Sequence, residues 1–191
     1  MENQEDRAGF LEGKLLLAMP GMTDPRFERS VIYICSHSHE GAMGLVINHP
    51  IPNLTFGNLL KQLDIEDDGL APQIPVHAGG PMDTGRGFVL HSPDFVEDTS
   101  VKLCSDVALT ATVDILKALA GQGGPKQRMV ILGYAGWGPG QLEDEISQNA
   151  WLSTDPTGDV LFETRDDQKW PRAMASLGVD IAMLSSEAGH A

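Results

Sequence analysis

Residues 128–137, RMVILGYAGW, form an almost uninterrupted apolar run, bounded by a Gly-Pro-Lys-Gln segment before it and Gly-Pro-Gly after it. The run shows neither the strict alternation of a strand with one wet face nor the three-and-four spacing of an amphipathic helix. It has the pattern of a strand covered on both faces. A chain carrying such a strand must supply apolar layers on either side of it, so this stretch is expected to be the core of a sheet. It cannot cross a bilayer as a helix: no apolar run in the 191 residues approaches the ~18 needed.

Short apolar runs at Lys14–Met19, Ser30–Cys35 and Ala42–Asn48 read as strands, the latter two joined through "HSHEG" as a hairpin. Thr55 is placed to cap a short helix, "TFGNLLKQL", whose Leu59, Leu60 and Leu63 keep helical spacing. "IPVHAGGP" and "GFVLHS" are further strand candidates, joined by a turn drawing on Gly79, Gly80 and Gly85. The clearest helix is Thr110–Ala120, with Val113, Leu116, Leu119 and Ala120 on one stripe and "GQGG" as its stop. Helices at Gln141–Asn149 and Lys169–Leu177, strands at "WLST" and "DVLFE", and a small-residue tail complete the order. Strands come first, then helices and strands mix without regular alternation, which is an α+β pattern. The expected organisation is a flexible acidic segment over residues 1–12 followed by one domain over 13–191.

Charge bounds the function. The formal net charge is −14, and each half contributes −7, from 13 acids and 6 bases in residues 1–95 and 14 acids and 7 bases in 96–191. No basic face gathers to neutralise phosphates, so direct nucleic-acid binding is disfavoured, while cationic partners remain natural. The acidic, polar start "MENQEDRAGF" lacks the pattern of a secretory signal, and a cytoplasmic protein without a membrane role is expected. Cys35 and Cys104 lack metal-ligand spacing and read as two small buried, reduced side chains.

"GYAGWGPGQLEDE", residues 133–145, is the densest patch. Its glycines suit a sharp exit from the central strand, and Glu143, Asp144 and Glu145 suit the first turn of a helix, where they meet the dipole and repel a phosphate. No dinucleotide or phosphate-loop fingerprint can be read through it. Leu142 and Ile146 define a buried stripe that sends Glu143 and Glu145 to opposite flanks, so the two cannot share one site. Two readings stay open: Trp137 and Trp151 are core residues beside a helix cap, or they wall a small-molecule pocket that includes Gln141 and Glu143.

Two other patches carry polar chemistry. "PGMTDPRFERSV" clusters Asp24, Arg26, Glu28 and Arg29, either as an ion-pair network or as paired guanidiniums for an anion. His37 and His39, with Glu40 beside them, are the nearest approach to a metal-ligating set, but no third or fourth ligand is signalled. No nucleophile elbow is present and no catalytic set is signalled, so a non-enzymatic role is favoured, with a small-molecule-binding protein or an enzyme of unknown class using a pocket near the turn at 133–143 as the alternative, and no cofactor is expected.

The segments "GKLLLAMPGMTDPRFERSVIYIC", "EGAMGLVINHP", "HAGGPMDTGRGFVLHS", "ILGYAGWGPGQLEDEISQNAWL" and the terminal "GHA" resemble, together and in this order, the signature blocks of the bacterial YqgE/AlgH family. The resemblance runs from about Gly13 to the end. It implies an α+β domain whose bent, bifurcated mixed sheet forms a pseudo-barrel with helices packed outside. It also implies a transcriptional-regulator designation, inherited from control of alginate synthesis, with no family-wide enzyme activity attached. His49 departs from the pattern, which more often has Arg or Lys after the asparagine, and this weakens an anion-binding role there. Regulation is therefore expected to run through a protein partner or a small ligand, in a monomer or homodimer. The surface expected to carry it draws on Arg26, Glu28, Arg29, Asn48, Arg86, Trp137, Gln141, Glu143 and Trp151.

Overall fold

The apolar run of residues 128–137 is the strand on which the sheet is assembled. In a computed structural model describing residues 9–67, 69, 71–121, 123–157 and 159–180, ten strands and four α-helices follow one another. The strands are β1 Leu15–Ala18, β2 Val31–Ser38, β3 Gly41–Val46, β4 Pro50–Thr55, β5 Pro75–Ala78, β6 Met82–His91, β7 Val101–Lys102, β8 Ala108–Thr110, β9 Arg128–Trp137 and β10 Trp151–Thr154. The helices are α1 Phe56–Gln62, α2 Val113–Ala120, α3 Gln141–Ser147 and α4 Asp166–Ser176, with a 3-10 turn at Pro25–Phe27 and a π turn at Asp159–Glu163.

Strand β9 explains the bifurcation. On one edge it pairs antiparallel with β6 from His91↔Arg128 to Met82↔Tyr134. The other edge is divided between two partners. Its first half takes β5 in parallel, Val76↔Val130 to Ala78↔Leu132, and its second half takes β3 antiparallel, Gly44↔Ala135 to Ala42↔Trp137. The path β10-β1-β2-β3-β9-β6-β8-β7 curls into a half-barrel, and the β4–β5 pair forms the second branch.

Both faces of β9 are covered, as its composition requires. Met129 and Ile131 join Leu15, Leu17, Tyr33, Leu45, Phe88 and Leu90 under Trp170, Ala173 and Met174 of α4. Val130 faces the other way, with Val76 and Val89, toward Phe56, Leu59 and Leu60 of α1 and Ile115, Leu116 and Leu119 of α2. Ala135 and Trp137 enter a third cluster with Leu16, Ile32, Ile34, Val46, Leu142 and Trp151. Each fully buried Leu or Ile here contributes about 1.5–3 kcal/mol of transfer free energy, as an upper bound.

Local chemistry agrees with most of the expected elements. Thr55 caps α1 through a reciprocal box, its Oγ1 accepting from Asn58 N at 3.3 Å while Asn58 Oδ1 accepts from Thr55 N at 3.1 Å. Several expectations are corrected. Residues 159–163, "DVLFE", form a π turn rather than a strand, closed by the Thr164 amide donating to Asp159 O at 2.7 Å; its short apolar run buries Val160 and Leu161 without any ladder partner. Thr110 ends β8, and α2 begins at Val113, which is 49% exposed, so the buried stripe is Ile115, Leu116, Leu119 and Ala120. Gly85 lies inside β6, at its shift in register, and not in the turn with Gly79 and Gly80. Helix α4 starts three residues before the expected Lys169, with Asp166 and Asp167 in its first turn. Cys35 is buried as expected, but Cys104 is exposed, on a polar turn with Ser105 and Asp106; both thiols are free. The terminal small-residue tail lies outside the described residues.

Strand β9 needs close backbone approach where the β5–β6 connection and the start of β6 meet it. Gly133 has φ +73°, and a Cβ there would sit 2.8 Å from Gly80 O and 2.9 Å from Met82 O. Gly133→Ala is therefore expected to lower the unfolding free energy by about 2–4 kcal/mol, measured by urea denaturation. The control Gly138→Ala, whose Cβ would meet nothing closer than Gln141 Oε1 at 3.9 Å, is expected to stay within about 0.5 kcal/mol of the parent.

Candidate functional site

At the C-terminal end of β9 the chain turns through Gly138 and Gly140 into α3. Gly140 adopts φ 74° and supplies no side-chain cap. Gln141 makes up part of that lack, because its Oε1 accepts from Gly138 N at 3.0 Å and its Nε2 donates to Glu145 Oε1 at 2.8 Å. The other carboxylate oxygen, Glu145 Oε2, accepts from both the Trp137 indole N–H at 2.9 Å and the Trp151 indole N–H at 2.7 Å. Trp137 closes β9 and Trp151 opens β10, so one glutamate joins two strands that are not neighbours in the sheet.

These residues wall a cavity of about 500 Å³. The 3-10 turn supplies its other side, with Met22, Asp24, Arg26 and Phe27, and Met82 of β6 completes the apolar lining. The ring of Phe27 meets Trp151 edge-on at 5.7 Å and Trp151 meets Trp137 edge-on at 6.1 Å. Asp24 caps the 3-10 turn and grips the Arg26 guanidinium, with contacts of 3.0, 3.2 and 2.7 Å. The Arg26 hydrogen bond holds the Asp24 carboxyl below its usual range. The volume falls within the range of small-molecule pockets, and the lining mixes aromatic and polar groups.

The structure sorts the expected surface into separate places. Arg26, Trp137, Gln141 and Trp151 line the cavity. Glu143 sits on the opposite flank of α3, as its helical position dictates, and its Oε1 lies 2.9 Å from His37 Nε2. The other nitrogen of His37 accepts from Leu11 N at 3.0 Å. His39 packs its ring against Phe10 at 4.9 Å. Among the described residues no group of three or more His, Cys, Asp or Glu could hold a metal ion. Arg86 lies over Phe88 at 5.1 Å, away from the cavity lining.

Arg29, Asn48 and Glu28 belong to a second polar cluster beneath α4. Asn48 is a buried staple, accepting from Val31 N at 2.8 Å and donating to Arg29 O at 2.9 Å. Arg29, at φ 51°, places its guanidinium 5.6 Å from the Trp170 ring centroid. The paired Arg26 and Arg29 guanidiniums envisaged from sequence therefore have different neighbours, because the turn between them sends one to Phe27 and the other to Trp170. Lys169 Nζ is buried, donating to Ile47 O at 2.9 Å and Asp166 Oδ1 at 3.0 Å, which ties α4 to the end of β3. Burial lowers the Lys169 pKa and the Asp166 charge opposes that shift. His77 Nε2 lies 3.0 Å from Asp166 Oδ1, though off the line an N–H bond would take, and its Nδ1 has no partner. Burial raises the Asp166 pKa, but His77 and Lys169 outweigh it and the net shift is downward.

Sequence reasoning found Arg26, the two tryptophans and Gln141 but left Glu145, Phe27, Met22 and Met82 out of the surface. The signal for Glu145 was present: it stands four residues after Gln141, one turn along the same face. The other three reach the cavity through long-range contacts with no local signature.

A curled, bifurcated half-barrel sheet with helices packed against it defines a class of small α+β proteins. This chain belongs to the AlgH-like family, whose profile matches residues 15–182. It is 53% identical over 192 residues to a UPF0301 protein of Bradyrhizobium diazoefficiens, covering 96% of this chain and 90% of that one. It is also 51% identical over 189 residues to a UPF0301 protein of Paracoccus denitrificans, covering 97% and 100%. The solution structure of AlgH from Pseudomonas aeruginosa superposes with a TM-score of 0.78 at 38% identity, covering 96% and 97%. Protein DIP2367 of Corynebacterium diphtheriae shares the fold at a TM-score of 0.71 and 20% identity, covering 92% of each chain. No helix among the described residues is long and apolar enough to cross a membrane.

His49 supplies a pH test of the second cluster. Burial depresses its pKa below 6.5, partly opposed by the hydrogen bond to the Glu28 backbone. As pH falls below 6.5 the unfolded imidazole protonates first, so this contribution is complete above 6.5 and lost as pH falls through the lower folded value. His49→Gln is expected to flatten the fall in urea midpoint just below pH 6.5.

Proposed function

We propose that this protein is a ligand-binding regulatory protein, an indirect regulator of transcription whose effector site is the cavity between the 3-10 turn, the end of β9 and α3. The observation that carries the reading is the cavity itself: about 500 Å³, lined by Phe27, Trp137 and Trp151, with Glu145, Gln141 and Arg26 as its polar groups. The lining has no Ser, Cys, Lys or His, its one hydroxyl, Thr23, has no general-base His beside it, and its two carboxylates already accept hydrogen bonds, Asp24 from Arg26 and Glu145 from the indoles. This favours binding over catalysis. Action through a ligand, and through whatever protein the liganded form meets, also suits a chain whose charge of −14 opposes contact with DNA.

The test is a thermal-shift screen of the protein against a metabolite panel, repeated on Trp137→Phe, which keeps an aromatic wall but removes one donor to Glu145. At about one hundred times its Kd a specific ligand stabilises by about 2.7 kcal/mol, a rise of about 5–10 °C for a chain of this size. That rise is expected in the parent and reduced in the variant. No shift from any compound, or equal shifts in both proteins, would overturn the reading.

A further inference from the structure

The electrostatics of the cavity are more selective than its shape. Glu145 receives three hydrogen bonds, two from indoles and one from an amide, and all three donors are neutral. Among the described residues the ion pairs do not include Glu145. Its negative charge is oriented by dipoles but balanced by no cation. The one cation on the lining, Arg26, is held by Asp24 at 2.7 Å, with its Cζ 5.9 Å from the Phe27 centroid. One ring of the wall thus already lies beside a guanidinium of the chain itself.

The remaining wall favours the same sign of charge. Phe27, Trp137 and Trp151 line the space together, set at 73° and 80° to one another along the series. Aromatic faces attract cations, and the attraction grows as water is removed. An anion entering here meets both Asp24 and Glu145. A neutral molecule leaves the unbalanced charge unused.

The geometry points to an organic cation, an ammonium or guanidinium group, as the ligand of this cavity, with Glu145 as its charge partner and the three rings as its wall. The inference rests on reading the cavity as a binding site and specifies what enters it. Such a group arrives on a free amine or at the tip of a Lys or Arg side chain of a partner, and the chain's charge of −14 draws either one in.

The test titrates the full chain with butylammonium against butanol and butylguanidinium against butylurea, following tryptophan fluorescence and heat. N-acetyl-arginine methylamide against its citrulline counterpart forms a separate arm that reports on peptide-borne cations. At least one cation is expected to bind about tenfold or more tightly than its neutral counterpart, and Glu145→Gln is expected to abolish that preference. Binding by the small cations alone assigns a free amine, and binding by the arginine derivative as well assigns a side chain. Should Glu145→Gln not fold, raised salt takes its place, because it loosens a charge-dependent complex and spares a neutral one. Equal binding of charged and neutral probes, or a preference untouched by Glu145→Gln and by salt, overturns the inference. If the neutral probes alone bind, and Trp137→Phe weakens them, the cavity remains a binding site and the cation falls. If nothing binds, both fall.

Discussion

One strand with two edges serves three neighbours, and the rest of the structure follows from that. Strand β9 gives one edge to β6 and divides the other between β5 and β3, in parallel and then antiparallel sense. Two branches cannot share an edge unless backbone approaches closely where they part, which is where Gly79, Gly80 and Gly133 lie. A side chain at Gly80 would run into the Tyr134 backbone. Because the branches diverge, each face of β9 needs its own cover, and the chain provides three apolar clusters in place of one.

The cavity is a product of the same divergence. Strand β9 ends at Trp137, its last residue paired with β3, and the chain must reverse to deliver β10 to the outer edge beside β1. Helix α3 fills the reversal. Glu145, on its inward flank, finds the indole N–H groups of the residues that end one strand and begin the other. A glutamate in this position satisfies two buried donors that would otherwise cost about 1–3 kcal/mol each. The same contact leaves a carboxylate facing an aromatic hollow, so a structural solution and a chemical one coincide in a single side chain.

Much of this was legible in the sequence, for identifiable reasons. The uninterrupted apolar run of β9, the Thr55 cap and the helical spacing around Leu142 are local signals, and each led to the right element. The separation of Glu143 from Glu145 followed from helical geometry alone. What failed depended on distant partners. "DVLFE" has the composition of a strand, yet it pairs with no described strand, and its backbone closes on itself as a π turn. Cys104 sits near apolar residues in sequence but on an exposed turn in space. Of the cavity, the sequence disclosed Arg26 and the half carried by residues 133–151. The half carried by Met22, Phe27 and Met82 depends on how the sheet curls, which no short-range pattern encodes.

Helix α3 is only seven residues long, less than two turns, and a helix of that length has little stability of its own. It carries anchors on both sides: Glu143 reaches His37 on β2 from one flank, and Glu145 reaches Trp137 and Trp151 from the other. Successive residues on a helix point about 100° apart, so these two side chains grip the framework from divergent directions. A roll about the helix axis in either sense must strain one grip or the other. The short helix is thereby keyed in rotation, like a bolt held by two flats, and its orientation is set by what lies beside it rather than by its own hydrogen bonds.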